Sequence, residues 1–94
     1  MSDAQRDKQF WELTDSFIQL ANTHLSDAKP SKVSASALFA AARFNAFVIT
    51  AATENKAQLI AEKESAIAYF LEQYEKMLRE NLDEHMSRYD EQAN

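Results

Sequence analysis

The sequence predicts an all-α protein, a three-helix bundle, on three observations. Glycine is absent and there is one proline, Pro30, so the punctuation that β-hairpins need is missing. Apolar residues recur at three- and four-residue steps through three long segments, the period of an amphipathic helix. Only two short stretches, SDAKPSK (26–32) and TAATENK (50–56), have the small, polar composition of connections.

The first segment spans roughly residues 7–25, within the few-residue error of reading helix ends from sequence. Phe10, Trp11, Leu13, Phe17, Ile18, Leu20, Ala21 and Leu25 fall on one side, and Gln9, Glu12, Asp15, Ser16, Gln19 and Asn22 fill the other. Trp11 follows Phe10 directly, about 100° round the helix, so both can face a core only if the apolar sector is wide. Trp11 is therefore a candidate for partial exposure and partner contact.

The second segment, about 34–53, is alanine-rich and is expected to begin at Ser34, whose hydroxyl can cap the free amides of the first turn. Between Val33 and Thr53 the only charged side chain is Arg43. Val33, Ala37, Leu38, Ala41, Phe44, Phe47, Val48, Ile49 and Ala52 cover most of the circumference, so the helix is expected to be central and buried. Ser36, Arg43 and Thr50 share one narrow polar sector, with Phe39 beside it. Arg43 should lay its stem along apolar neighbours and send its guanidinium to solvent or to a carboxylate of another helix. Asn45 projects into the apolar side and is expected to be enclosed, hydrogen-bonded, and a determinant of helix arrangement. The segment is long enough to span a membrane, but a central arginine, Asn45 and the low transfer energy of alanine point to a core helix instead.

The third segment, about 56–86, starts at a cap on Thr53 or Asn55. Ile60, Ile67, Phe70, Leu71, Tyr74, Met77, Leu78 and Leu82 form its stripe, with Tyr69, Met86 and Tyr89 beside it. Glu72 with Lys76, Glu75 with Arg79, and Lys76 with Glu80 are spaced to pair on the exposed side. Residues 87–94 lose most of the stripe and are expected to fray, leaving one helical domain over 1–94 with a flexible tail.

The order FWEL, FIQLAN, then KVSASALFAAARFNAFV, then AIAYFLEQYEKMLRENLDEH resembles a family of short proteobacterial proteins catalogued as a domain of unknown function. The likeness covers about Phe10 to His85. It implies a small cytoplasmic helical protein and brings no activity, cofactor or catalytic residue.

The chemistry legible in the residues is sparse. There is no cysteine, which removes disulfides, thiol catalysis and thiolate metal sites. The net charge of −5 repels nucleic-acid phosphates, so no nucleic-acid partner is expected. His24 and His85 have neither a glutamate three residues before them nor a second histidine four away, so neither reads as a metal ligand. Ser34 and Ser36 lack a neighbouring base, and a phosphate loop is impossible without glycine. The start MSDAQRDKQFWEL has no apolar run of the signal-peptide kind, which points to the cytoplasm.

No catalytic, cofactor or metal residue is assigned, and the expectation is a non-enzymatic interaction module acting through self-association or a protein partner, without a membrane. Trp11, Phe39, Arg43, Asn45 and Tyr74 are the candidate contact residues. The alternative is a binder of a small apolar ligand in the bundle core near Arg43 and Asn45.

Overall fold

A computed structural model describes residues 5–93. It has three α-helices in order, α1 (Lys8–His24), α2 (Pro30–Ala51) and α3 (Lys56–Ala93), and no strand among the described residues. The all-α, three-helix class expected from the periodicity is the observed one. The chain divides into two compact units, Met1–Ala52 and Thr53–Asn94.

In the first unit, α1 starts because Asp7 takes an extended backbone and its carboxylate accepts the Phe10 amide at 2.9 Å, satisfying one of the four free donors of the first turn. It ends without glycine. The amides of Leu25, Ser26 and Asp27 donate back to the carbonyls of Asn22, Thr23 and His24, tightening the last turn. Helix α2 starts at Pro30, four residues before Ser34. Proline at the first helical position loses no intrahelical bond and already holds the helical φ, and Lys29 before it is extended (ψ 144°). The Lys29 carbonyl then accepts the amides of Lys32 and Val33 at 3.0 Å, which leaves Ser34 inside the helix instead of at its cap. Within this unit α1 and α2 touch.

The second unit is the turn and α3. Asn55 is the cap: its carboxamide oxygen accepts the Gln58 amide at 2.9 Å, while the Gln58 side chain reaches back to accept the Glu54 amide at 2.7 Å. The reciprocal arrangement satisfies two orphan donors, as in a capping box. The expected ion pairs Glu72–Lys76 and Glu75–Arg79 form at 3.0 and 3.6 Å.

Residues 87–93, expected to fray, are helical to Ala93. The Arg88 guanidinium donates to the Glu84 carboxylate at 2.6 Å one turn back, and such pairs extend a helix beyond its apolar stripe. Asn94 lies outside the described residues.

One expectation is corrected. No side chain among the described residues is buried, and twenty large hydrophobic side chains are exposed. The alanine-rich α2, expected to be enclosed, leaves Phe44 and Phe47 about two-thirds open (64% and 65%). Its circumference is apolar nearly all round, and a single neighbouring helix such as α1 covers only one stripe of it.

Candidate functional site: uncovered aromatic and cationic helix faces

Two helix faces concentrate the unusual surface chemistry. On α2, Lys32, Ser36, Phe39, Arg43, Phe47 and Thr50 follow one another at steps of four, three, four, four and three, which places them on one side. The Arg43 guanidinium lies 5.0 Å from the Phe39 ring centroid, a cation–π contact; it does not reach a carboxylate among the described residues. Phe47 sits 6.2 Å from Phe44 in a tilted arrangement, so a second aromatic layer continues round the helix. The Thr50 hydroxyl donates to the Ala46 carbonyl at 2.8 Å and turns a polar group inward. The result is a face carrying two cations, two phenylalanines and no acid.

On α3 the apolar stripe runs Ile67, Leu71, Tyr74, Leu78, Leu82, and because the helix continues to Ala93 it carries on to Met86 and Tyr89. All seven are exposed. Tyr69 and Phe70 add a T-shaped pair at 5.3 Å on its flank. The C-terminal part is acidic: from residue 72 to 93 there are seven Asp or Glu against three Lys or Arg.

The sequence candidates are thus dispersed. Trp11 is 47% exposed, packed edge-on against Phe10 at 4.8 Å with the Arg6 guanidinium 5.9 Å from its ring. Phe39 and Arg43 are brought together. Tyr74 lies on the α3 stripe. Asn45, two residues from Arg43, points to the other side of α2, where it is partly buried. With Val33 and Ile49 it is one of the three least exposed positions of α2, so the amide expected to be enclosed is partly covered and not buried.

Arg43 and Asn45 therefore do not flank one cavity mouth. An open depression is lined by Asp27, Ala28, Lys29, Ser31 and Lys32, at the α1–α2 turn. Among the described residues no three His, Cys, Asp or Glu side chains come together as a metal cage. The Lys32–Arg43 face is legible in the sequence from its three-and-four spacing only once Lys32 belongs to α2 and not to the connection.

By length and composition alone, α2 is also a helix that could cross a membrane, and none of it is buried.

Residues 10–86 match the model of a family described as Protein of unknown function (DUF3144), and the chain belongs to that family. No curated protein and no solved structure matches it.

Proposed function

We propose that this family member is a non-enzymatic helical interaction module, cytoplasmic, whose exposed apolar faces are covered by other polypeptide, through self-association or on a protein partner. The observation that carries the reading is the exposure of twenty large hydrophobic side chains with none buried among the described residues. Monomeric soluble proteins rarely leave contiguous apolar surface of this kind uncovered, and extended patches mark interaction sites. Aromatic residues, methionine and arginine, the types on the α2 and α3 faces, are those enriched at protein interfaces.

Magnitudes indicate a large interface. Each such side chain is already about half covered, so completing its burial contributes on the order of 1 kcal/mol. Association costs about 4–15 kcal/mol in lost freedom. A dozen or more of these side chains must therefore be engaged for tight binding, which involves more than one helix.

A membrane is the competing cover for α2, and Arg43 argues against it. An arginine at the centre of a spanning helix costs about 2.5–3.5 kcal/mol, and alanine gives little in return. Size-exclusion chromatography with light scattering, over a hundredfold range of concentration, tests self-association, with a dimer or larger species expected. A strict monomer that also captures no protein under cross-linking in cells would sink the reading.

A further inference from the structure

We propose that the C-terminal part of α3 docks on the Lys32–Phe39–Arg43–Phe47 face of α2 in a second copy of the chain, each copy lending its helix end to the other. The proposal rests on the interaction-module reading above and names its partner and surface.

Helix length is the first ground. Helix α3 has 38 residues and α2 has 22, joined by the short connection 52–55, and α1 has only 17. In whatever direction α3 leaves that connection, no more than about its first 22 residues can run beside its own α2, since both rise 1.5 Å per residue. The segment from Leu78 onward, with Leu82, Met86 and Tyr89, runs past it, and these four side chains are exposed.

Charge selects the occupant. From residue 78 to 93 the chain has five acidic side chains (Glu80, Asp83, Glu84, Asp90, Glu91) and two basic ones (Arg79, Arg88). Pairing this segment with its own equivalent brings two acid-rich helices together, and like charges across an interface oppose association. Helix α2 carries Lys32 and Arg43 and no acidic residue, so it is the one helix of the chain with the opposite sign. It also offers phenylalanines for the apolar side chains of α3 and alanines that allow close approach. Exchange in both directions makes a closed two-fold dimer in which each docking occurs twice.

The test replaces Tyr89 with the photo-cross-linker p-benzoylphenylalanine in a mixture of light and 15N-labelled full-length chains. Links between a light and a heavy copy that fall within Pro30–Ala51 are the expected result. Links joining α3 to α3, or confined to one copy, overturn the proposal. Lys32→Glu combined with Arg43→Glu is expected to weaken self-association at low salt by tenfold or more, with helix content retained at concentrations where the dimer still forms. Adding Asp83→Lys and Asp90→Lys is expected to restore it. An association constant unchanged by the α2 reversal counts against the docking. If the chain associates but its links map elsewhere, this docking falls and the interaction reading stands. A monomer at every concentration, or one recovered only with anionic phospholipid vesicles, removes the self-association as well.

Discussion

Asn55 and Asp7 each hold a helix start by accepting a first-turn amide at 2.9 Å. Loss of such a cap costs about 0.5–2 kcal/mol, and Asn55→Ala additionally frees Gln58 from its reciprocal role. Asn55→Ala is therefore expected to lower stability by about 1 kcal/mol in urea unfolding followed by circular dichroism, with no effect of Ser34→Ala beyond a few tenths, since Ser34 caps nothing. Equal effects of the two substitutions would contradict the cap assignment. Arg43 acts differently. Its guanidinium over Phe39 contributes about 0.5–1 kcal/mol at an exposed site, and its charge also opposes insertion of α2 into lipid. Exchanging a central arginine for leucine swings insertion energy by roughly 3–4 kcal/mol. Arg43→Leu should thus move the chain into the pellet in vesicle co-sedimentation while the parent stays in the supernatant, and a parent already in the pellet would refute the proposal that no membrane covers α2.

At the scale of elements, the three periodic segments were legible because a 3.6-residue repeat is a property of the residues alone. The ends were less so. Helix α2 starts at Pro30 and not at Ser34, because proline suits the first helical position and Lys29 before it is extended. Helix α3 runs on to Ala93, because a weakening apolar stripe is not a weakening helix. A surface pair such as Glu84–Arg88 sustains the helix where the apolar side thins. This difference has a functional consequence, since Met86 and Tyr89 become part of a continuous face. Leu82→Glu puts a charge in the middle of that face at a position 51% exposed, where it costs the single chain little. It is expected to weaken self-association at least tenfold in sedimentation equilibrium, with parental helix content at concentrations where the dimer still forms. Unaltered association would place the interface elsewhere.

For the whole molecule, periodicity told which sides of the helices are apolar but not what covers them, and that is why Asn45 and the phenylalanines of α2 were expected inside. Among the described residues no side chain is fully buried, which leaves little apolar burial to offset the entropy of ordering the chain. If the missing burial comes from a second copy, folding and association are one equilibrium. Stability must then depend on concentration, because dilution favours the separated, unfolded chains. For a dimer each tenfold dilution removes about 1.4 kcal/mol of association free energy. In an assembly of two such chains this corresponds to a fall in Tm of about 3–6 °C. Calorimetry or circular dichroism melts at 2, 20 and 200 μM, on the order of the hundredfold range over which such a shift is resolvable, should show a monotonic rise. A midpoint independent of concentration, with full helix content at the lowest one, would mean that each chain is stable with its apolar faces in water, and the covering polypeptide would have no role in the fold.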